Sequence, residues 1–543
     1  MSQTDEPINA STQPAEPAVR RFWWFKRMSL AGITLLVLLA ITWIVWDQYS
    51  RRELQARVDA YRKAGEATTA EEIQPPTVPD EQNAAALYTQ AGSVVNTKVY
   101  CPSASSYTFG EDLPYPPEWH TLARRAIEVN PKPLELARQA SLRQGADWGI
   151  RIRSRMPNQS FPNFNAQRNL ANLLGDAAVY EHFHGDDARA ISDIRTLLHQ
   201  ARTLNQYPFV LSKLVGIGIE ALAVARLEVI AGDLRIRSGF STTNSSTEVS
   251  QDEVHALIGE LLGGQQIAQF MAQAMRDERI AMVDNVQSYV GSSLLLKPAF
   301  RLDAARSLDR YTQTARACLL PTLPAARAAL TPLSPIERQV RNEPRPVSPW
   351  SSGGNSPAPP IHPVLQTRRL LNFSSGNKLL DTLYRSICEQ RMAAVMLAFR
   401  LYVIDHGQYP QTLQDLVPQY LSTLPADPMS ADGRPFGYFI AANGKRPILY
   451  SVGDDGADQT QGRQAQIAAH ILKGWQSTHR MPADDQYRDL SSWVNPAPRA
   501  PMTDKLTDEE LGLKANPDDP KQPHAPRENP PGDNQTDEAR QAK

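Results

Sequence analysis

The chain has 543 residues, enough for two or three domains, and its 57 basic and 58 acidic side chains give a formal net charge of −1. Nucleic-acid-binding proteins take most of their affinity from a basic surface, so this balance argues against that class. The three cysteines, scattered and odd in number, define neither a disulfide framework nor a thiolate metal site: Cys101, Cys318 and Cys388.

The segment from Met28 to Trp46 is apolar and carries no charge. At about 1.5 Å per residue its length matches a bilayer core of about 30 Å, so it predicts a transmembrane helix. Four basic residues precede it (Arg20, Arg21, Lys26, Arg27) and favour a cytoplasmic N-terminus. A cleaved signal peptide is the alternative, but its apolar part is usually shorter and is followed by a small-x-small site. We therefore predict a single-pass anchor in the bacterial cytoplasmic (inner) membrane, with residues 1–27 inside and a periplasmic ectodomain.

The residues after the span predict a charged helical stalk. Asp47 to Ala67 can continue the membrane helix, and the proline-rich run from Gln74 to Pro79 then breaks it. Residues 47–80 are accordingly interpreted as stalk and linker.

Residues 81–330 predict an irregular α-helical ectodomain. A helical hairpin is indicated from Phe164 to Leu204, because two apolar faces at helical spacing are separated by Gly185-Asp186. No fixed 34-residue period follows, so a regular repeat array is not indicated. Further helices are expected at Phe209–Ala231, Gln251–Leu262, Ile267–Val283 and about Arg301–Cys318.

Two segments have the composition of unstructured chain. Residues 331–364 are rich in Pro, Ser and Gly and predict a linker. Residues 495–543 are rich in proline and charge, which predicts a disordered tail, and residues 1 to about 18 are expected to be disordered too.

Residues 365–494 predict a small α+β module followed by a helical segment. A helix is expected from about Asp381 to Asp405, ended by Gly407 and Pro410. Thr412 can cap a second short helix, with Asp415 three residues later. Two β-prone runs, at 436–441 and 448–452, flank Asn443-Gly444, which is typical of a tight hairpin turn.

Several motifs of this module occur in a family's order: Asp405-x-Gly407-x-Tyr409-Pro410, Leu424-Pro425-x-Asp427-Pro428, the aromatic Phe436 and Tyr438, and Leu449-Tyr450-Ser451-x-Gly453-x-Asp455-Gly456. In this the module resembles the globular domain of the major, G-type pseudopilins of type II secretion. The resemblance implies a helix packed on an antiparallel hairpin. The whole chain also resembles membrane-anchored envelope proteins of planctomycete-like bacteria. The pilin cut site and the glutamate of the pilin helix have no counterpart at residues 27–32, so polymerisation is not expected.

The acidic loop of the module is a candidate calcium site. Carboxylates on turn backbone are hard oxygen ligands, which suit Ca²⁺. G-type pseudopilins bind calcium in this part of their fold, so the resemblance implies ligands among Asp427, Asp454, Asp455 and Asp458. The alternative is that these are ordinary turn residues.

Other chemistry-bearing residues favour structural roles. His182 and His184 are two apart, so on a helix they cannot point the same way. Cys388 lies on an apolar helix face and is interpreted as a core residue. No nucleophile elbow, zinc-protease motif or phosphate-binding glycine loop is present in the sequence.

We therefore expect a mainly α protein: a transmembrane helix, an irregular helical ectodomain and a pseudopilin-like domain. The expected function is a non-enzymatic envelope protein whose head serves protein–protein interaction, with the bilayer and envelope or secretion proteins as partners. One alternative is an accessory component of a type II secretion or pilus-like system. Another is an enzyme or carrier of unrecognised type, with its site in the helical region.

Overall fold

The computed structural model describes residues 20–97, 115, 117–154, 160–237, 247–289, 294–330, 376–440, 447–453, 456–458 and 490–493. Within these residues the protein is mainly helical, with one long apolar helix at the N-terminal end and two small sheets. The predicted linker at 331–364, the predicted disordered tail and the first 18 residues lie outside the described residues.

The helices are, in chain order, α1 (Arg20–Lys63), α2 (Ala84–Ser93), α3 (Pro117–Val129), α4 (Pro131–Ala140), α5 (Phe164–Phe183), α6 (Asp187–Gln206), α7 (Val210–Ala231), α8 (Gln251–Leu262), α9 (Gln265–Tyr289), α10 (Lys297–Ala317), α11 (Leu323–Ala328) and α12 (Gly376–His406). The strands are β1 (Ile236–Arg237), β2 (Val249–Ser250), β3 (Gly437–Ile440), β4 (Pro447–Ser451) and β5 (Leu490–Trp493). Short 3-10 turns lie at Ala70–Ile73, Asp80–Gln82, Leu294–Leu296 and Leu413–Leu416.

Helix α1 is long and apolar enough to span a membrane. None of its most apolar stretch is buried inside the protein, unlike the core helix of a soluble domain. The helix continues without a break through the predicted stalk and ends at Lys63. The apolar segment and the stalk are therefore one continuous element.

The helical hairpin predicted from Phe164 to Leu204 is observed as α5 and α6. Gly185 adopts a φ of +88° between them, a conformation that glycine reaches without a Cβ clash. The Asp186 carboxylate accepts a hydrogen bond from the Arg189 N–H at 3.0 Å and so caps α6.

Helix α7 lies at the centre of the helical region, because it packs against α5, α6, α9 and α12. Its apolar residues are buried almost all round, as its nearly continuous apolar sequence predicts. Four charged side chains of α7 are buried with them: Lys213, Glu220, Arg226 and Glu228.

Helix α12 begins at Gly376, five residues before its predicted start, and ends at His406. It packs against α7 and α8, and one hydrophobic cluster extends from Leu54 on the stalk to Val452 after β4. The regions interpreted from the sequence as ectodomain and C-terminal module therefore share a core.

The C-terminal sheet has the order β3-β4-β5 and is antiparallel throughout. Gly437 faces Tyr450 in the register, and a Cβ at 437 would lie 2.0 Å from the Tyr450 Cζ, so this position requires glycine. The sequence predicted only the β3–β4 hairpin. It gave no signal for β5, because Leu490-Ser-Ser-Trp493 is too short to show an alternating apolar pattern. The predicted turn at Asn443-Gly444 lies outside the described residues, and the resemblance to pseudopilins stays a prediction.

Candidate functional site

The stalk is fixed to the ectodomain by polar contacts along α10. The Arg301 guanidinium contacts the Asp47 carboxylate at 2.6 Å, directly after the apolar stretch. Farther from the apolar stretch, Arg57 pairs with Asp309 at 3.2 Å. With α10 packed along α1, these contacts hold the ectodomain in one orientation relative to the apolar helix.

Asp47 is buried between two guanidinium groups. Arg51, one turn later on α1, contacts the same carboxylate at 2.8 Å. Burial alone would raise the pKa of Asp47, but the hydrogen bonds and charges of Arg301 and Arg51 lower it below its ordinary value. The carboxylate therefore stays ionised and ties α10 to the first turn of the stalk.

Arg279 of α9 contacts the C-terminal end of the stalk. Its guanidinium forms an ion pair with Glu66, donates to Thr312 Oγ1 at 3.1 Å and lies 4.1 Å from the centre of the Tyr61 ring. The Arg279 side chain is almost fully buried, so its guanidinium needs partners within the protein, and these contacts provide them.

A groove with a volume of about 930 Å³ opens between the stalk, the 3-10 turn at Ala70–Ile73 and the facing parts of α9 and α10. We call it the stalk groove. Its apolar lining consists mainly of Leu54, Val58, Ile280, Val283 and Val286. Its charged lining consists of Arg51, Arg52, Asp59, Arg62, Glu71, Asp284, Lys297 and Arg301. The volume is within the range of small-molecule sites, about 300–1,000 Å³.

Most of the basic side chains of the stalk groove lie at its end nearest the apolar stretch of α1. Arg51 and Arg52 lie within two turns of Trp46, and Lys297 and Arg301 lie in the first five residues of α10. Arg51 and Arg301 share Asp47, whereas Arg52 and Lys297 form no ion pair with another described residue. Two cations are therefore available to a ligand at this end.

Toward the other end, two of the three acidic side chains, Asp59 and Asp284, are already engaged, whereas Glu71 is exposed. Asp59 pairs with Arg62 at 3.4 Å and accepts from Gln55 at 3.0 Å. Asp284 accepts from the Ser154 hydroxyl at 2.8 Å. An apolar floor, with two cations at one end that form no ion pair within the described part of the chain, is suited to a molecule that has an apolar part and an anionic head.

A second, smaller cavity of about 250 Å³ contains Glu220. Its carboxylate accepts from Asn205 Nδ2 at 3.1 Å, on α6, and from Gln390 Nε2 at 2.9 Å, on α12. Burial raises the pKa of Glu220 to about 7, and Arg202 opposes this shift by its charge. Since donors from two neighbouring helices already satisfy the carboxylate, its evident role is to join α6, α7 and α12.

Two further charged side chains lie in the helical region: Lys213 on α7 is buried, and Glu278 on α9 is partly buried. Burial lowers the pKa of Lys213 to about 7 and raises that of Glu278 to about 7. The Lys213 ammonium donates to the Tyr207 carbonyl, and Glu278 accepts from the Val210 N–H at 3.0 Å. Neither side chain lines the stalk groove or the Glu220 cavity.

The two histidines near the end of α5 diverge, as their spacing requires. His182 is buried, with Asp187 at 2.5 Å from its Nδ1 and Asp233 at 2.9 Å from its Nε2. Burial would lower its pKa, but hydrogen bonds to the two carboxylates raise it. His184 instead stacks on the Tyr180 ring, with ring centres 3.7 Å apart. The two rings therefore do not converge on one ligand.

Both described cysteines are buried in the core. Burial raises the pKa of Cys318 to about 12 and raises that of Cys388 as well. A thiol with a raised pKa is a poor nucleophile near neutral pH. Cys388 is buried, as expected for a core residue.

The four candidate calcium ligands are only partly described. Asp427 is buried, and its carboxylate accepts from Ser451 Oγ (2.9 Å), Met429 N (2.9 Å) and Val452 N (3.0 Å). Asp458 lies near Arg434, with 3.7 Å between Oδ2 and the guanidinium. Asp454 and Asp455 lie outside the described residues. Among the residues that are described, no group of three or more His, Cys, Asp or Glu side chains could hold a metal. The calcium site stays a prediction.

The stalk groove was not anticipated from the sequence. Its lining comes from residues 51–71, 154, 280–286 and 297–301, which are far apart along the chain. One signal was present, because Arg51-Arg52 and Lys297 each follow directly or closely after an apolar run. A scan against protein-family models and searches of curated proteins and of solved structures found no match to this chain.

Proposed function

We propose that this chain is a single-pass envelope protein that binds an anionic amphiphile, such as an acidic phospholipid, in the stalk groove. Its N-terminus lies in the cytoplasm and its ectodomain in the periplasm, as the basic flank of the span favours. The protein acts by binding and not by catalysis.

The observation that carries this proposal is the position of Arg52 and Lys297. Both line the stalk groove at the end next to the apolar stretch of α1, and neither has a charged partner among the described residues. A basic residue near an anionic membrane surface contributes about 1 kcal/mol to the attraction of acidic lipids. The apolar floor beyond them can cover methylene groups, each worth about 0.8 kcal/mol when buried.

The buried titratable groups support a binding role. Apart from the two cysteines, the side chains discussed here with strongly shifted pKa values are Lys213, Glu220 and Glu278, and each is hydrogen-bonded within the helical region. None of them lines the stalk groove, where the ligand is proposed to bind.

The protein-interaction role expected of the C-terminal module stays a prediction. Since the apolar face of α12 is covered by α7 and α8, that role would depend on the sheet and loops of the module.

Photocrosslinking tests the proposal. The full chain is reconstituted in phosphatidylcholine nanodiscs with a trace of photoactivatable phosphatidylglycerol, or of photoactivatable phosphatidylcholine at the same level. Crosslinked peptides are mapped by mass spectrometry. We expect the anionic probe to label the lining of the stalk groove more strongly than the zwitterionic probe, and excess inorganic phosphate not to compete, because the apolar chain contributes to binding.

Matched variants separate a site from general attraction. Arg52→Gln with Lys297→Gln removes the unpaired cations, and Val283→Trp fills the apolar floor; both should lose the label. Arg306→Gln changes one charge on the exposed face of α10, outside the groove, and should keep it. Equal labelling by both probes, or an equal loss in Arg306→Gln, would contradict the proposal.

A further inference from the structure

The turn before α10 lies beside the apolar part of α1. The indole Nε1 of Trp43 donates a hydrogen bond to the Leu295 carbonyl at 3.1 Å, across 252 positions of the chain. From Trp23 to Trp46, Trp43 is the one side chain that is partly covered, while the others are exposed. This contact is therefore where the ectodomain meets the apolar stretch.

The contact fixes the depth of the turn. Trp43 lies three residues before Trp46, which at the helical rise places it roughly 4.5 Å toward the bilayer centre. Indole rings prefer the membrane–water interface, where one side is apolar and the N–H finds a polar partner. The Leu295 carbonyl is such a partner, and so it lies at interfacial depth if α1 spans the bilayer.

Two consecutive side chains of this turn are exposed on the outside of the protein. Leu295 is 74% exposed and Leu296 is 36% exposed, and they follow each other directly. Together with the exposed apolar side chains of α1 beside them, they form a contiguous apolar surface, which is typical of a surface that contacts a membrane or another protein. Lys297 comes next, and a lysine at this position can extend its ammonium to the headgroups.

Contacts between α10 and α1 hold the turn next to the apolar stretch. Arg301, four residues into α10, contacts Asp47 at 2.6 Å, and α10 then packs along the stalk. The leucines are thus held next to the same apolar surface of α1 that faces lipid. Continuity with that surface identifies the occupant as lipid.

We propose that Leu295 and Leu296 insert into the interfacial region of the bilayer beside Trp43, as a second membrane contact of the ectodomain. This inference rests on the proposed membrane-spanning role of α1. It places the basic end of the stalk groove at headgroup level, because Lys297 follows the inserted leucines.

Depth-dependent fluorescence quenching tests the insertion on the full chain. In a Cys101→Ser background, where Cys318 and Cys388 are buried, a polarity-sensitive dye is attached at Leu295→Cys. The protein is reconstituted in phosphatidylcholine–phosphatidylglycerol vesicles with nitroxide lipids labelled at shallow or deep positions. We expect blue-shifted emission and a larger loss of emission with shallow than with deep nitroxide.

Two matched positions make the outcomes distinguishable. Leu36→Cys, exposed in the middle of the apolar stretch, should be quenched by deep nitroxide; Leu319→Cys, exposed after the far end of α10, should be quenched by neither. If the dye at Leu36→Cys is not quenched, the proposal that α1 spans the membrane is contradicted, and the insertion of the leucines is contradicted with it. If Leu36→Cys is quenched but the dye at 295 responds only to aqueous iodide, the insertion alone is overturned. A dye at 295 shielded from iodide and from nitroxide would overturn it too, because a second protein copy would then cover the turn.

Discussion

Gln390 Nε2 on α12 donates a hydrogen bond to Glu220 Oε2 on α7 at 2.9 Å, in the interior of the protein. Asn205 of α6 approaches the other oxygen of the same carboxylate at 3.1 Å. A buried carboxylate is costly unless it is hydrogen-bonded, so these donors are required where Glu220 lies. Glu220 therefore joins α6, α7 and α12, and α12 comes after the predicted linker in the sequence.

Replacing Gly216 by alanine should disturb this arrangement. A Cβ at position 216 would lie 2.1 Å from Asn205 Oδ1, so the asparagine must move and its bond to Glu220 weakens. We expect Gly216→Ala to lower the free energy of unfolding by about 1–3 kcal/mol, measured by chemical denaturation followed by circular dichroism. Gly218→Ala is the control on the same helix, with no atom within 4 Å of the new Cβ. It should raise stability by about 0.5–1 kcal/mol. Equal effects of both variants would argue against the steric explanation.

Glu220→Gln should change how stability depends on pH. The pKa of Glu220 is raised from its ordinary 4.5 to about 7 in the folded protein, so the folded state keeps the proton that the unfolded chain releases. Stability from this group is therefore lost as the pH rises from 4.5 to about 7. The variant lacks this loss and should gain up to about 3 kcal/mol relative to the wild type across that window.

Denaturation curves at pH 4.5, 6 and 7.5 measure this difference. Glu81→Gln, at an exposed position, should run parallel to the wild type at each pH. A stability difference between Glu220→Gln and the wild type that does not vary with pH would refute the assignment.

Removing one partner of the ion pair between Arg226 and Asp176 should greatly lower the free energy of unfolding. The two side chains are buried and lie 2.5 Å apart, on α7 and α5. Asp176→Ala should cost about 3–5 kcal/mol, because it leaves a buried guanidinium without its main counter-charge. Replacing the pair by Asp176→Leu with Arg226→Met should recover much of that loss, since packed apolar groups need no counter-charge.

A partly exposed pair provides the comparison for this cost. Arg327 and Asp381 lie 2.7 Å apart with about a third of each side chain exposed. Asp381→Ala should cost less than about 1 kcal/mol, because water already screens the pair. Similar losses in Asp176→Ala and Asp381→Ala, by thermal or chemical unfolding, would mean that burial does not set the cost.

The structural and the calcium roles of the C-terminal acidic residues can be separated. Asp427→Ala should lower stability by about 2 kcal/mol or more in calcium-free buffer, because Ser451, Met429 and Val452 lose a buried acceptor. If the loop binds calcium, millimolar Ca²⁺ should raise the unfolding temperature of the wild type and a chelator should reverse the rise. Asp455→Ala should abolish the response. An unchanged unfolding temperature in the wild type would rule the calcium site out.

Local signals in the sequence predicted many helices well. Gln251–Leu262 has the predicted bounds, and Ser250 with Glu253 forms the capping box that begins it. The α5–α6 hairpin and the continuous stalk follow from apolar periodicity and from a glycine or a proline cluster at the ends. Strand β5 was missed because its four residues acquire strand structure only by pairing with β4. The stalk groove was missed because residues more than 200 positions apart line it.

Elements whose causes are local follow from the amino-acid order alone: the long apolar helix, its stalk, the helical midsection and the strands β3 and β4. Which of these elements meet depends on the folded chain. Trp43 next to Leu295, Arg301 on Asp47 and Gln390 on Glu220 join segments that no spacing rule connects. The physical reason is that periodicity records which face of an element must leave water, whereas burial alone does not specify the partner that covers it. The partner is selected by complementary shape and by the polar groups that must be satisfied at the contact.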